Sequence, residues 1–254
     1  QIRGYDDALR IARLGIDTPS FLSLLDLGDF GELQRNGVPK TLGFIVEGVR
    51  VPVRADYFDD LYRATLSMRG IDNQDDPAAQ CTGKYGFSPA VLADLGYDEQ
   101  VFSMIMTARN EKSRYSIDVA TSSADMWDLN ATMNMTGDMT AELMKGPAFR
   151  PRLADMRFEY TDRSLNERVR KYCARLGLSP EDTFNAQMDA FNYMGESNGI
   201  VFDEYMTTPY QEFLAGKSTF TVTVKPNEPI ALSQIDLYKP EDVPALLNLE
   251  ATAR

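Results

Sequence analysis

The chain has no histidine in its 254 residues. Imidazole is the side chain that accepts and returns a proton near neutral pH, so a Ser-His-Asp triad is excluded. Most catalytic zinc sites also use histidine ligands. The C-x-x-C and G-x-G-x-x-G motifs of redox and dinucleotide sites are missing as well. We therefore predict no catalytic residue, no metal and no cofactor, and we expect the protein not to be an enzyme.

Long hydrophobic runs are also missing. No apolar stretch approaches the ~18–20 residues needed to cross a bilayer, so no transmembrane segment is predicted. Aspartate and glutamate outnumber lysine and arginine by 38 to 26, which gives a net charge of −12. Such a charge repels nucleic acid and anionic lipid surfaces. We expect a soluble protein with no nucleic-acid partner.

The stretch GESNG, residues 195–199, fits the G-x-S-x-G pattern that holds a serine nucleophile in α/β-hydrolases. Ser197 has no histidine to activate it, and the stretch lies between two helical runs, at 183–194 and 201–214. We interpret it as a helix end and a turn. Gly195 would then lie near a C-terminal cap, and Ser197 or Asn198 near the next N-terminal cap.

A second stretch, GKST at residues 216–219, looks like the end of a phosphate-binding loop. The first glycine of such a loop should stand at position 211, which is occupied by Gln211. The loop should also open a helix, whereas residues 219–224 alternate in the pattern of a strand. Gly216 is therefore interpreted as the end of a helix and not as part of a nucleotide site.

Hydrophobic periodicity divides the chain into blocks of strands and helices. Alternation predicts strands at 41–47 and 49–53 around Gly48, and at 100–108, 114–121, 126–135, 156–160, 219–224 and 247–252. Helical spacing predicts two short helices within 4–27, broken at 17–19, and helices at 56–68, 88–96, 165–176, 180–194, 201–214 and 240–246. A loop is expected at 72–86.

The expected fold class is α+β, a curved antiparallel sheet (a meander) with helical insertions covering one face. The length of the chain fits a single domain over residues 1–254. The alternative is two fused halves with a junction near 138–152.

Methionine is concentrated in the predicted sheet, because seven of the 12 methionines fall between positions 104 and 144. Methionine is flexible and suits surfaces that accept variable apolar shapes. Six side chains that share faces of the predicted strands form the candidate ligand-binding set: Met104, Met106, Trp127, Leu129, Met133 and Met135. The set predicts a pocket for a lipid or other apolar ligand. The alternative is that these side chains fill an ordinary core.

Four stretches carry a resemblance to known proteins: DLGYDE at 94–99, MRFEYTDRSLNERV at 156–169, GKSTFTVTVKPNEPIAL at 216–232 and PALLNLEAT at 244–252. Together they resemble a group of uncharacterised secreted proteins from alphaproteobacteria, over roughly residues 90–252. The resemblance implies a periplasmic or secreted location in the bacterial envelope, and it implies no activity. The chain begins at Gln1, as expected of a mature chain after signal-peptide removal and equally of a trimmed one.

Two functions from different classes follow from these observations. The first is a non-enzymatic bacterial envelope protein that binds or shuttles a lipid or other apolar ligand in a half-open curved sheet. The second is a structural or interaction module that docks another envelope protein and has no small-molecule ligand. A large cavity lined by the methionine-rich face would favour the first, and a solid core with an exposed apolar patch would favour the second.

The chain has two cysteines, Cys81 and Cys173. An even, low count in an exported protein favours a disulfide, which here would close a loop of about 90 residues. The alternative is two separate buried thiols. We expect the disulfide.

Ser197 should not react as a nucleophile, because no histidine is present to take its proton. Incubation with a fluorophosphonate probe followed by mass spectrometry should leave Ser197 unlabelled. Stoichiometric labelling that a Ser197→Ala substitution removed would contradict this prediction.

Overall fold

The computed structural model describes residues 13–17, 40–53, 56–68, 71, 76–111, 113–137 and 152–254. Within them the chain has the predicted α+β fold, in which the sheet dominates. The strands are β1 Arg13–Asp17, β2 Thr41–Pro52, β3 Glu99–Glu111, β4 Arg114–Ser123, β5 Trp127–Thr136, β6 Arg152–Asp162, β7 Thr219–Val224, β8 Ile230–Ala231 and β9 Leu249–Ala253. The α-helices of these residues are α1 Asp56–Met68, α2 Pro77–Thr82, α3 Pro89–Asp94, α4 Leu165–Arg175, α5 Pro180–Glu196, α6 Glu204–Leu214 and α7 Val243–Leu247, and a 3₁₀ helix spans Leu232–Leu237.

The strands form one antiparallel sheet with the order β1-β2-β3-β4-β5-β6-β7-β9, and β8 pairs with β6. From β1 to β7 each strand pairs with its successor in the sequence, which confirms the predicted meander. In the part of the chain that the structure describes, β1 and β9 do not pair, so the sheet does not close into a barrel.

The register of the sheet places apolar side chains of neighbouring strands on one face. Leu129 of β5 lies opposite Tyr160 of β6, which lies opposite Phe220 of β7. In the other direction, Leu129 lies opposite Thr121 of β4, which lies opposite Met104 of β3. Directly opposite residues of an antiparallel pair point to the same face. A largely apolar face therefore extends from β3 to β7.

The other face carries polar side chains that bind one another. Asp118 pairs with Arg109 and accepts a hydrogen bond of 2.8 Å from the Thr132 hydroxyl. Glu159 accepts a hydrogen bond of 2.8 Å from Arg157, and this bond lowers the pKa of the Glu159 carboxyl. Alternation of an apolar and a polar face is typical of an antiparallel sheet that is covered on one side.

Helices α5 and α6 cover the apolar face over the last strands of the sheet. Phe191 of α5 and Tyr210 of α6 stack with their ring centroids 3.9 Å apart. Both rings meet Phe220 of β7 edge-on, at 5.9 Å and 5.5 Å. The main buried cluster lies between this helical layer and β6, β7 and β9.

A second buried cluster surrounds a disulfide between Cys81 of α2 and Cys173 of α4. The bond confirms the predicted pairing. Both cysteines are fully buried, and their Cα atoms lie 5.3 Å apart. The disulfide therefore joins two helices whose cysteines are 92 residues apart in the sequence.

Several predicted elements have the expected form. Helix α1 has the predicted bounds, 56–68, and β7 has the predicted bounds, 219–224. At the start of α5, Ser179 and Asp182 form a capping box, with Pro180 at the first helical position. The short strand β8 and the 3₁₀ helix were not predicted, because neither is long enough to show a period.

The prediction of helices near the N-terminus is wrong where the structure describes the chain. Residues 13–17 form the strand β1, which pairs with β2 from Arg13 opposite Glu47 to Asp17 opposite Gly43. Weak helical spacing is a local signal, and the backbone hydrogen bonds of a distant strand outweigh it. The rest of the 4–27 prediction lies outside the described residues.

The predicted pair of strands around Gly48 is a single strand, β2, with a bulge. Its register with β3 shifts between Val46 and Val49. Gly48 has a φ of 63°, a left-handed conformation that glycine adopts without steric cost. Because of the bulge, Val46 and Val49 both lie on the apolar face, opposite Met104 and Phe102.

The predicted loop at 72–86 contains helix α2. The Asp76 carboxylate caps its N-terminus by accepting hydrogen bonds from the N–H groups of Ala78 and Ala79, and Pro77 occupies the first turn. The Asp-Pro pair is a helix start that the loop interpretation missed. Residues 72–75 lie outside the described part of the chain.

Two helices near the C-terminus begin later than predicted. Helix α6 begins at Glu204 and not at 201, because Asp203 caps it by accepting a hydrogen bond of 3.1 Å from the Tyr205 N–H. Neither Ser197 nor Asn198 is the N-cap. Helix α7 begins at Val243 and not at 240, so the last strand also begins later than predicted.

The predicted junction near 138–152 falls on residues outside the described part of the chain, apart from Arg152. Strands β5 and β6, on either side of it, pair directly in one sheet. The division into one domain or two fused halves remains a prediction.

Replacing both cysteines by alanine should lower the free energy of unfolding by about 2–5 kcal/mol, because the unfolded chain regains the freedom that the closed loop removes. Urea denaturation followed by circular dichroism would measure this loss. A reducing agent should lower the midpoint of the wild type and leave that of the double variant in place. Equal midpoints of the oxidised wild type and the double variant would contradict the prediction.

Candidate ligand-binding site

A cavity of about 610 Å³ lies between the apolar face of the sheet and the helices α5 and α6. Its lining includes Met156 and Phe158 of β6, Val222 of β7, Phe191 of α5 and Met206 of α6. Small-molecule sites in proteins are typically about 300–1,000 Å³ and mostly apolar. The size and lining of the cavity are therefore those of a site for an apolar ligand.

The cavity extends along strand β6. Lining residues of this strand run from Leu153, beside β8, to Tyr160, close to the start of α4. At about 3.3 Å per residue, this part of the strand is roughly 23 Å long. Ile235 of the 3₁₀ helix and Leu247 of α7 belong to the Leu153 end. The cavity is therefore elongated, with two ends of different composition.

Stacked aromatic rings form the helical wall of the cavity. Phe191 stacks on Tyr210 at 3.9 Å and on Phe202 at 4.5 Å between ring centroids. Phe213 meets Tyr160 edge-on at 5.7 Å. Aromatic pairs in these geometries are stabilising beyond the area that they bury. The rings thus pack against one another and against the sheet.

Polar side chains line the end of the cavity where α2, α4 and α5 come together. Gln187 of α5 is 7% exposed, and its amide has no hydrogen bond to any residue that the structure describes. Asn166 of α4 and Thr82 of α2 line the same cavity, and the Thr82 hydroxyl donates to the Ala78 carbonyl at 2.7 Å. The Gln187 amide carries an acceptor oxygen and a donor nitrogen, so Gln187 is suited to bind a polar group of a ligand.

Two tyrosines, Tyr160 and Tyr210, also belong to the lining. Burial raises the pKa of Tyr210 to about 12. Burial, followed by the negative charge of Asp162, raises the pKa of Tyr160 above its usual value. Both phenols are therefore neutral at physiological pH, and they can donate hydrogen bonds but do not serve as bases.

A groove of about 840 Å³ adjoins the cavity, since Phe87 and Met194 line both. It lies between α1, the segment after α2 and the end of α5, and it is lined by Tyr62, Lys84 and Tyr193 among others. Unlike the cavity, the groove combines aromatic rings with a cation. The two spaces therefore differ in chemistry although they share part of their wall.

Of the six residues predicted to bind a ligand, Met133 lines the cavity. Met135 is 4% exposed and lies opposite Leu153, a lining residue. Trp127 packs against the disulfide cluster, and its ring lies 6.5 Å from that of Tyr160. The three share the sheet face from which the cavity is built.

The other three predicted residues lie on the same face but farther along the sheet. Leu129 is opposite Tyr160. Met104 and Met106 are in β3, two strands away from β5. Neither methionine of β3 is among the lining residues that the structure describes. That these residues bind a ligand stays a prediction.

The residues of the helical wall were missed by sequence reasoning, which predicted only that helices cover one face of the sheet. Phe184, Gln187, Met188 and Phe191 recur at helical spacing along α5 and predict a buried face, but not which strands that face meets. The two apolar surfaces come from segments far apart in the chain. Their meeting is decided by the fold and not by any local pattern.

The GESNG stretch lies at the end of α5. Ser197 is the C-cap residue of that helix and is exposed, and its hydroxyl donates to the Met194 carbonyl at 3.0 Å. Ser197 and Asn198 line the groove. The motif is thus a helix end, as predicted, and not a strand-to-helix turn.

A family model described as "Uncharacterized protein" matches residues 114–254. The chain belongs to this family. Among the described lining residues of the cavity, Thr82 and Phe87 alone lie outside the match, so the family region contains α5, α6 and the part of the sheet face that lines the cavity. No curated protein and no solved structure matches the chain.

No helix in the described part of the chain is both long and apolar enough to span a bilayer. The described residues do not bring together three side chains of the types that hold a metal ion.

Tyr210→Phe should change how stability depends on pH. The pKa of Tyr210 is about 12 in the folded protein, against the ordinary value of 10.0. The neutral Tyr210 phenol therefore contributes fully to the free energy of unfolding below pH 10. This contribution is lost as the pH rises from about 10 to 12, because the phenol ionises at a lower pH in the unfolded chain than in the folded protein. Over this window the wild type should lose about 2–3 kcal/mol more than Tyr210→Phe.

Urea denaturation at a series of pH values would measure the difference. Tyr205→Phe is the matched control, because Tyr205 lies on the same helix and is 66% exposed. The control should follow the wild type. If Tyr210→Phe also followed the wild type, the phenol would not be buried in solution.

Proposed function

We propose that this protein is a non-enzymatic bacterial envelope protein that binds or shuttles a lipid or other apolar ligand. The observation that carries the proposal is the cavity of about 610 Å³ with its almost entirely hydrophobic lining. An apolar chain placed there gains about 25 cal/mol for each Å² of apolar surface removed from water. The elongated form along β6 suits a chain more than a compact molecule.

Polar groups in the lining support a ligand with one polar end. Gln187 and Asn166 come from neighbouring helices at one end of the cavity, and the opposite end, around Leu153 and Leu247, is hydrophobic. A few positioned polar groups in an apolar pocket typically fix the orientation of a ligand. The ligand would therefore bind in one direction.

An envelope location is part of the proposal. The buried Cys81–Cys173 disulfide supports it, because disulfides persist in oxidising compartments such as the periplasm and are rare in the cytosol. The resemblance to secreted proteins over roughly residues 90–252 points in the same direction.

A non-enzymatic role fits the chemistry of the lining. The chain has no histidine, and the phenols of Tyr160 and Tyr210 hold their protons more firmly than usual. These groups bind and orient a ligand without supplying a general base near neutral pH.

Exposed apolar side chains on two adjoining segments favour a second candidate, the docking of another envelope protein. Val201, Tyr205 and Leu237 are largely exposed. The Val201 N–H donates to the Pro240 carbonyl at 3.1 Å, which brings the two segments together. Exposed apolar patches often mark protein contacts. If Leu237→Glu abolished binding of a partner and left ligand binding intact, this second function would be favoured.

Met133→Trp should weaken binding of Nile red, because a larger side chain would fill part of the cavity. We expect about a tenfold loss of affinity for Nile red, which corresponds to about 1.4 kcal/mol, with the fold intact. Ile105→Trp is the control, since Ile105 is an apolar residue on the other face of the sheet, is 39% exposed and is not among the described lining residues. Its affinity for Nile red should equal that of the wild type.

Fluorescence titration and thermal melting of both variants would separate the two functions. If the wild type did not bind Nile red and Met133→Trp simply lost stability, the space would be an ordinary core. Native mass spectrometry of the protein purified from the periplasm, with lipid extraction, should show a bound apolar molecule. A uniformly ligand-free protein that takes up no added lipid would contradict the proposal.

A further inference from the structure

Lys84 brings a positive charge into the groove beside the apolar cavity. Its ammonium nitrogen lies 5.8 Å from the ring centroid of Tyr85 and 5.6 Å from that of Tyr193. The two rings pack edge-on at 5.0 Å. Within the described part of the chain Lys84 has no ion pair, so the aromatic faces alone position its charge. The ammonium therefore keeps its capacity to bind an anion.

The groove meets the cavity at the cavity's polar end. Lys84 follows Thr82, a lining residue of the cavity, by two positions. Phe87 and Met194 line both spaces and form the boundary between them. Lys84 and Gln187 are thus on the same side of the molecule, away from the hydrophobic end around Leu153.

A cation is notable here because the protein as a whole is acidic, with a net charge of −12. General electrostatic attraction of an anion is therefore weak, and an anion would need a local site. The Gln187 amide in the cavity adds a hydrogen-bond donor, whereas the Asn198 amide nitrogen in the groove already donates to the Met194 carbonyl at 2.7 Å.

We infer that the ligand is an anionic amphiphile, with its acyl chain in the apolar cavity and its carboxylate or phosphate head group bound by Lys84 in the groove. This inference rests on the proposed apolar-ligand function. The hydrophobic cavity supplies affinity for the chain, and the ammonium selects for the charge of the head group.

The test compares three ligands that share one chain length: palmitate, hexadecyl phosphate and hexadecanol. Each is titrated into the delipidated full chain with its disulfide intact. Lys84→Met should weaken binding of the preferred anion about tenfold, the effect of losing one charge-assisted hydrogen bond, and should leave hexadecanol binding as it is in the wild type. Whichever of palmitate and hexadecyl phosphate binds the wild type more tightly identifies the head group.

Two further variants serve as controls. Lys84→Arg keeps the positive charge and should keep the preference for the anion. Lys217→Met removes an exposed lysine after α6 that lines neither the cavity nor the groove, so all three affinities should be those of the wild type. Thermal melting of each variant reports on the fold.

The outcomes distinguish the inference from the function on which it rests. If Lys84→Met changed neither the anion affinities nor the alcohol affinity, the head-group site would be overturned. The proposed binding of an apolar ligand in the cavity would still stand. An equal loss for all three ligands, together with a lower melting temperature, would show that Lys84 is structural and would also overturn it. If none of the three bound the wild type, the proposed function itself would fail.

Discussion

The alternation of side chains along β5, β6 and β7 is the constraint on which the cavity depends. Met133, Met156 and Val224 lie opposite one another in successive strands, so one register points all of them toward the helices. A slip of one residue would turn them outward and lose about 1.5–3 kcal/mol for each side chain that is otherwise fully buried. Between Asn134 and Met135 the register shifts, and Met135 then lies opposite Leu153, where both are buried.

The helical layer completes the cavity, and two sets of contacts hold it in place: aromatic stacking of α5 and α6, and the disulfide between α2 and α4. The aromatic rings of α5 and α6 stack on one another and on Phe220, which holds these helices over β6 and β7. At the other side of the layer, the disulfide ties α2 to α4, and α4 begins where β6 ends. The polar end of the cavity lies where these two arrangements meet.

Burial and charge give the two ends of the site different chemistry. Desolvation raises the pKa of Tyr210 and so keeps a neutral hydrogen-bond donor in the apolar wall. Lys84 is held in the adjoining groove by aromatic faces. Since the protein carries a net charge of −12, this local arrangement and not the net charge would decide whether an anionic head group is accepted.

The sequence by itself determined the meander from β2 to β7 and the apolar face that carries Met133 and Trp127, because both depend on period-2 alternation. The disulfide followed from the cysteine count and the expected compartment. Tertiary structure alone decided that residues 13–17 pair as a strand. It also decided that α5 and α6 cover the half of the apolar face containing Met133 and not the half containing Met104. The physical reason is that these outcomes depend on packing and hydrogen bonds between segments far apart in the chain, and no local periodicity records which distant surfaces will meet.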